Sequence, residues 1–413
     1  MVQPIITNDA SVFGILVSIL AFVFITSNSN KNIWRKFYKF VPSLLLCYFI
    51  PSIFNSLGII SGEDSKLYFV ASRYLLPTSL VLLTISIDLP QILKLGPKAL
   101  IMFLTGTFGI IIGGPISILI VSYFAPNLLN GMEFDLIWRG LSTVAGSWIG
   151  GGANQAAMKE IFQVDDAIFS TMIAVDVIVA NIWMAFLLYG AGIHNKIDKV
   201  LDAESSAIEE LKNKIENYRA QILKIPELLD TIKIMAVGFG VTALAHIGSD
   251  LIAPYIKLNA PYLAKFSLTS GFFWLIVIST TVALFLSFTR IRDLEGSGAS
   301  RYGSLFLYIL VATIGMKMDI MAIFDNPGFF VVGLIWMSLH ALLLIMMAKL
   351  IKAPLFFLAV GSQANVGGAA SAPIVASAFH PSLAPVGVLL AVFGYAIGTY
   401  GAWFCGILMQ ISF

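Results

Sequence analysis

Twelve apolar stretches, most of them long enough to cross a bilayer, follow one another along this chain. A membrane-spanning helix needs about 20 mainly apolar residues, and such stretches recur between residues 10 and 411 with short polar connections. Only 12% of the 413 residues are charged and 58% are hydrophobic, whereas a soluble domain carries roughly a quarter charged residues. These properties exclude a soluble enzyme, a nucleic-acid-binding protein and a disordered scaffold. They predict an all-α, polytopic membrane protein of about 10 to 13 spans.

The apolar stretches form two sets of six, separated by one polar segment. That segment, residues 191–230, holds 14 charged residues, 6 basic and 8 acidic. Its apolar residues recur at helical spacing, so it is predicted to be an amphipathic helical linker. We therefore divide the chain into a first transmembrane repeat (1–190), the linker (191–230) and a second repeat (231–413). The predicted helices lie near residues 10–27, 40–60, 67–89, 99–125, 137–158, 166–190, 231–250, 270–289, 302–320, 328–350, 353–378 and 384–411.

The two halves resemble each other. Asp88 precedes Pro97 by nine residues, as Asp319 precedes Pro327 by eight, and the segments 146–162 and 361–379 both begin Gly-Ser and contain Gly-Gly, Asn and Gln. Two matched pairs in the same order predict an internal duplication, which is characteristic of secondary transporters. Interfacial capping is an equally good explanation of the two aspartates.

Basic residues indicate that the halves are inverted. Positive charge favours the cytoplasmic side, which places the loop with Lys31 and Arg35 and the loop with Arg290 and Arg292 in the cytoplasm. The predicted counterpart helices 40–60 and 270–289 then run in opposite directions. Six crossings in each half do not produce this inversion, so one segment is miscounted or re-entrant, and we expect it near 231–270.

Glycine-rich segments predict two broken helices. Both GSWIGGGANQ, beginning at Gly146, and GSQANVGGAASAP, beginning at Gly361, weaken a helix near mid-membrane, and Pro373 removes a further donor. Broken helices present positive half-helix ends that suit a substrate carboxylate and free carbonyls that suit sodium. Close packing of small residues is the alternative, and it explains GIIIG (109–113) and GYAIG (394–398). The predicted substrate-binding residues are Ser147, Trp148, Asn154, Gln155, Ser362, Gln363, Asn365 and Ser371.

Asp176 is the candidate for ion coupling. It lies about ten residues into an apolar helix, and an ionisable residue at that depth is by default functional. Asn181, Gly151 and Gly367 are predicted to complete the coupling site through their side chain or carbonyls. The alternative is a carboxylate satisfied by neighbouring Ser or Arg. Arg73 either reaches a substrate carboxylate or extends to the interface.

At GSWIGGGANQAA, DVIVANIWMA and NVGGAASAPIVA the sequence resembles domain-of-unknown-function family 819, the YjcL-like bacterial membrane proteins. The resemblance covers nearly the whole chain from about residue 10 and brings no substrate with it. More distantly, the duplicated bundles are similar to sodium-coupled glutamate, bile-acid and 2-hydroxycarboxylate symporters and to cation/proton antiporters. That similarity implies an elevator architecture, in which a core moves against a scaffold, usually in a homodimer.

These patterns predict a secondary transporter for a small anionic or zwitterionic metabolite, such as an amino acid, a short peptide or an organic acid. Sodium or protons would drive it, and no cofactor is expected. A cation/proton antiporter or an ion channel is the alternative. No GxxxxGK[ST] or HExxH motif occurs, so neither an ATP-driven pump nor an enzyme is expected. Low charge and the absence of a transit peptide favour a cell inner membrane.

Overall fold

The computed structural model describes residues 4–38, 41, 43–62, 65–128, 133–203, 226–318, 326–380 and 383–412. Within these ranges the chain forms helices and no strands. Asp319 and most of the predicted linker helix, residues 204–225, lie outside the described residues. The first half contains α1 (Asp9–Ser27), α2 (Asn32–Tyr38), α3 (Ser43–Ser56), α4 (Leu67–Ile85), α5 (Leu89–Lys94), α6 (Pro97–Phe124), α7 (Phe134–Ile161), α8 (Asp166–Gly192) and α9 (His194–Val200).

The second half contains α10 (Leu228–Asn259), α11 (Gly271–Leu286), α12 (Ala299–Gly315), α13 (Gly328–Leu350), α14 (Leu355–Val366), α15 (Gly368–Phe379) and α16 (Ala384–Ile411). Across the described ranges, seven helices are long and apolar enough to cross a membrane, and two bent helix pairs would raise the number to nine. The seven are α1, α4, α6, α8, α10, α13 and α16. The predicted all-α, multi-pass architecture is confirmed.

The helices pack as two bundles that each draw on both halves of the chain. The first bundle contains α1, α3, α4, α10, α11 and α12, and the second contains α6, α7, α8 and α13 to α16. Contacts within each bundle greatly exceed contacts between them. Neither half therefore buries its apolar surface alone, and the core of each bundle is shared by the two halves.

Helix α7 is a hairpin and does not run straight. In a continuous helix, Arg139 and Phe162 would lie about 35 Å apart, yet Arg139 Nη1 donates to the Phe162 carbonyl. The rings of Trp138 and Phe162 also pack with centroids 5.2 Å apart. The chain reverses at Gly151, where φ is 72° and ψ is −174°, a conformation that an L side chain rarely adopts. The predicted span 137–158 is therefore wrong as a single crossing.

Residues 355–379 form the second hairpin, from α14 and α15. The rings of Phe356 and Phe379, at the two open ends, lie 5.5 Å apart. The helix ends at Gly367 and restarts at Gly368, which has a φ of 57°. The predicted span 353–378 is corrected in the same way. The predicted break in both glycine-rich helices is confirmed.

The two hairpins meet at their tips. A Cβ added at Gly368 would lie 4.0 Å from Cα of Gly151. Helix α16 passes beside them, and a Cβ added at Gly398 would lie 2.5 Å from Cα of Gly150. The glycines of the 394–398 segment therefore serve close packing, as the sequence predicts, and the packing partner is the first hairpin.

Candidate functional site at the hairpin tips

Asp176, on α8, joins both limbs of the first hairpin. Its Oδ2 accepts hydrogen bonds from Ser147 Oγ at 2.6 Å and Gln155 Nε2 at 3.2 Å, and its Oδ1 accepts one from Trp148 Nε1 at 2.7 Å. Ser147 and Trp148 precede the turn and Gln155 follows it. Four residues predicted from the sequence are thus brought into one cluster.

Asp176 is buried, with 6% of the residue exposed. Among the described residues it pairs with no cation, and its three partners are neutral donors. Burying a charge without an opposite charge is costly. A proton or a bound cation at Asp176 would therefore change the free energy of this cluster strongly. Asn181 lies elsewhere: its amide donates to the Val177 carbonyl at 2.6 Å, so its place in a coupling site stays a prediction.

The tip of the second hairpin is bridged in a similar way. Gln363 Nε2 donates to Ser371 Oγ at 2.7 Å, and these residues lie on opposite limbs. Gln363 is 1% exposed and its Oε1 has no hydrogen-bond partner. A buried polar atom without a partner is costly, so this oxygen is available to a ligand or a water molecule. Gly367, between the two residues, closes the turn.

Ser362 belongs to a separate hydrogen-bonded chain. Its Oγ accepts from Trp183 Nε1 at 2.8 Å and lies 2.8 Å from His340 Nε2. His340 Nδ1 lies 3.0 Å from the Gly106 carbonyl, which can only accept. The neutral ring therefore carries its hydrogen on Nδ1, and Nε2 accepts from the Ser362 hydroxyl. This chain connects α14, α8, α13 and α6.

Asn154 and Asn365 hold equivalent positions in the two hairpins. Each amide donates to the carbonyl four residues earlier and to a carbonyl of a long neighbouring helix, Tyr395 for Asn154 and Phe103 for Asn365. Each Oδ1 accepts a threonine hydroxyl at 2.7 Å, from Thr399 and Thr107 respectively. Both side chains are fully used in joining helices. Contact of Asn154 or Asn365 with substrate stays a prediction.

A cavity of about 420 Å³ lies between the bundles and reaches the tip of the second hairpin at Ala369. No lysine, arginine or histidine is among its described lining residues, whereas Asp88 and Glu295 are. Asp88 pairs with Arg292 at 3.4 Å. Glu295 accepts from the hydroxyls of Ser86 at 2.6 Å and Ser300 at 2.7 Å. We call this space the inner cavity.

The Ala369 carbonyl belongs to a residue that lines the inner cavity. Pro373, four residues on, has no N–H to donate to it. This carbonyl therefore lacks its usual α-helical partner.

A cluster of charged residues joins the two bundles on the side of the tips away from the inner cavity. Arg73 Nη2 lies 3.1 Å from Glu160 Oε2, and Lys317 Nζ lies 3.1 Å from Asp166 Oδ2. Lys159 Nζ lies 2.7 Å from Asp166 Oδ1. Arg73 and Lys317 belong to the first bundle and its adjoining loop, while Lys159, Glu160 and Asp166 belong to the second.

Tyr68, on α4, lies inside this outer ion cluster. Its hydroxyl donates to Glu160 and accepts from Lys159 Nζ at 3.1 Å. The ammonium groups of Lys159 and Lys317 lie 4.9 Å and 4.8 Å from its ring centroid. Cation–π contacts of this kind are worth about 0.5–2 kcal/mol. The cluster adjoins a second, polar cavity of about 590 Å³, which we call the outer vestibule.

A π-helical turn sets the position of Arg73. Pro77 has no N–H for the Arg73 carbonyl, and α4 forms a π-turn over Ala71–Leu75. His246 Nε2, on α10, lies 2.9 Å from that carbonyl. The guanidinium stacks 4.4 Å above the Phe272 ring. Arg73 is therefore held by protein contacts and does not simply extend to the interface.

The outer ion cluster was not predicted from the sequence. Lys159 and Glu160 follow directly after the first glycine-rich segment, and adjacent charges at the end of an apolar stretch were a signal that they face protein or water. Their partners lie up to 92 positions away in the chain. Nothing in the local sequence pattern identifies those partners.

The sequence pattern of the family described as "Protein of unknown function (DUF819)" matches residues 14–411. The chain belongs to this family. It is also similar to "Uncharacterized membrane protein YjcL" of Bacillus subtilis (strain 168), with 25% identity over 371 residues, covering 86% of this chain and 88% of that protein. The resemblance found in the sequence is confirmed, and the DUF819 chain is a multi-pass protein of the lipid bilayer.

Proposed function

We propose that this protein is a secondary active transporter whose substrate site lies where the two hairpins meet. The observation that carries the proposal is the approach of Gly151 to Gly368, which places two helix breaks from different halves of the chain together. Non-helical backbone at membrane depth is tolerated where it is buried or lines a cavity. Discontinuous helices at the interface of two repeats form the substrate and ion sites of many transporters.

The proposal includes two inverted repeats. If each hairpin enters and leaves on the same side, the first half crosses five times, with α1, α3, α4, α6 and α8. The second half also crosses five times, with α10, α11, α12, α13 and α16. Five is odd, so the two halves run in opposite directions, as the positive-inside pattern requires. The hairpin follows the fourth crossing in each half.

We further propose that the second bundle moves against the first in the manner of an elevator. The outer ion cluster would close the external side, while the inner cavity opens towards the loop that carries Arg290 and Arg292. In this state the tips are reached from the cytoplasm. Transport requires the ion pairs Arg73–Glu160 and Lys317–Asp166 to separate when the site turns outward. The homodimer and the cell inner membrane predicted from the sequence belong to the same proposal.

The inner cavity favours a substrate with a positively charged group. Glu295 pairs with no cation among the described residues, and the Ala369 carbonyl and Gln363 Oε1 are further acceptors near the tip. The half-helix N-termini that begin after Gly151 and at Gly368 suit a carboxylate. A zwitterion, such as an amino acid or a short peptide, matches both the acceptors and the helix N-termini better than an organic acid does.

Asp176 is proposed to bind the coupling sodium ion or proton. An ion there would loosen or replace the three hydrogen bonds that hold both limbs of the first hairpin. Ion binding would thereby change the shape of the tip. This is the differential interaction that coupling requires.

The test is uptake of radiolabelled amino acids, short peptides and organic acids into proteoliposomes under sodium or proton gradients. We expect saturable uptake of one of these classes that is lost when the gradient is collapsed and in Asp176→Asn. Asp250→Asn, an exposed carboxylate in the outer vestibule, is the matched control. Ion-driven uptake that is unchanged in Asp176→Asn would remove Asp176 from the mechanism.

A cation/proton antiporter is the second candidate, because the inner cavity is lined by carboxylates and by no basic side chain among the described residues. Cation-induced release of protons from acid-loaded vesicles, without any organic substrate, would favour it. Flux that persists without saturation would favour a channel.

A further inference from the structure

A groove of about 520 Å³ runs between α1 and α12 on the surface of the first bundle. Val17, Leu20, Ala21 and Phe24 line it from α1, and Leu305 and Ile309 line it from α12. Val17 is 40% exposed and Leu305 is 49% exposed. The groove therefore opens towards the lipid, and its walls are apolar.

One end of the groove carries a positive charge. Arg301 lines it there, and among the described residues this guanidinium has no acidic partner. Ser304 is one turn further along the same helix face. Arg301 follows the basic loop with Arg290 and Arg292, which the positive-inside pattern places at the cytoplasmic leaflet. That leaflet is the one rich in anionic lipid.

We propose that this groove binds an anionic phospholipid, with an acyl chain against α1 and α12 and the phosphate on Arg301. The charge is complementary, because guanidinium groups bind phosphate through paired hydrogen bonds. The apolar walls suit a hydrocarbon chain, and the groove lies at the height of the leaflet that supplies it.

The lipid would stabilise one wall of the inner cavity. Ser300 and Ser304 line both the groove and the inner cavity, so the N-terminal part of α12 separates the two spaces. Ser300 also holds Glu295 through its backbone N–H at 2.9 Å and its hydroxyl at 2.7 Å. Phe24 and Tyr308 pack with ring centroids 4.7 Å apart beside the groove. Lipid occupancy therefore stabilises the helix that positions this carboxylate, whether or not the proposed transport function is correct.

The test is lipid binding to the purified full-length protein, measured by native mass spectrometry and by the rise in thermal unfolding temperature. The probes are phosphatidylglycerol, phosphatidylcholine and glycerol phosphate, which has the headgroup without chains. We expect phosphatidylglycerol alone to remain bound and to raise the unfolding temperature. Stabilisation by glycerol phosphate equal to that by phosphatidylglycerol would assign the site to free phosphate and overturn the proposal.

Two variants locate the lipid. Arg301→Gln removes a charge-assisted contact and should weaken phosphatidylglycerol binding about tenfold to a hundredfold. Ala21→Trp fills the groove and should abolish phosphatidylglycerol binding. Arg290→Gln, which changes an exposed charge in the loop before α12 that does not line the groove, is the control. Equal losses in the Arg290 and Arg301 variants would show only general attraction to the surface, and unchanged binding in Ala21→Trp would place the lipid elsewhere.

Discussion

At the residue scale, two kinds of hydrogen-bonded junction hold the hairpins. Asp176 joins the limbs of the first hairpin to α8, and the two asparagines, Asn154 and Asn365, fix each hairpin to a long helix from the other half. In all three cases the buried polar groups are paired within the protein. Loss of one partner leaves the other buried and unsatisfied, which costs about 1–3 kcal/mol.

Asp176→Asn should lower the free energy of unfolding by about 1–3 kcal/mol. The asparagine keeps the size of the side chain, but its amide nitrogen must face at least one of the donors Ser147, Trp148 or Gln155. Thermal unfolding in detergent measures the effect, with Asp250→Asn as the exposed control. A variant as stable as the parent protein, or more stable, would mean that removing the uncompensated buried charge outweighs the loss of hydrogen bonding.

Thr107→Val and Thr399→Val should destabilise the protein to a similar extent, by about 1–2 kcal/mol each. Each removes the threonine hydroxyl that donates at 2.7 Å to the buried Oδ1 of Asn365 or Asn154. The same unfolding assay applies. A large effect of one change and none of the other would contradict the equivalent roles of the two asparagines.

At the element scale, the decisive feature is that two apolar segments fold back on themselves. Their breaks were predictable, because consecutive glycines near an amide weaken a helix wherever they occur. The reversal of direction was not, because hydropathy measures how apolar a segment is and carries no information about where its chain returns. The contacts that show the reversal form only in the folded chain: Arg139 with Phe162 in the first hairpin, and Phe356 with Phe379 in the second. Re-entrance was expected near 231–270, where α10 instead forms a long continuous helix.

Gly151→Ala and Gly368→Ala should each destabilise the hairpin tips by about 1 kcal/mol or more, because both glycines have a positive φ. Gly240→Ala is the matched control: this glycine lies within α10 with no atom within 4 Å of an added Cβ. It should be neutral or stabilising, by up to about 1 kcal/mol. Tip variants as stable as the Gly240 variant would exclude tight turns at these positions.

At the scale of the whole molecule, the two bundles are joined by ions on one side of the tips and separated by the inner cavity on the other. The division of the chain into two similar halves stays a prediction from its matched segments. The division into bundles was not predictable, because each bundle takes helices from both halves. The outer ion cluster was not predictable either, because its members are far apart in the sequence: Tyr68 and Glu160 are 92 positions apart.

Glu160→Gln should shift the balance between the bundles towards separation on the outer side. It removes the ion pair with Arg73 and weakens the bond from Tyr68. Hydrogen–deuterium exchange should then increase at the N-terminal end of α4 and around Asp166. Asp135→Asn, which breaks the pair with Arg139 within the first hairpin, is the control and should leave these regions unchanged. Equal exchange in the parent protein and in both variants would mean that the cluster does not hold the bundles together.

The most direct test of the central claim, that the hairpin tips form a site reached from one side at a time, is the accessibility of a single cysteine at Ala369. The background is Cys47→Ala with Cys405→Ala, which removes both native thiols. A membrane-impermeant thiol reagent should label the cysteine from the cytoplasmic side of oriented vesicles, and from the outside only after Glu160→Gln is added. Equal labelling from both sides without Glu160→Gln, or labelling from neither side, would contradict the account.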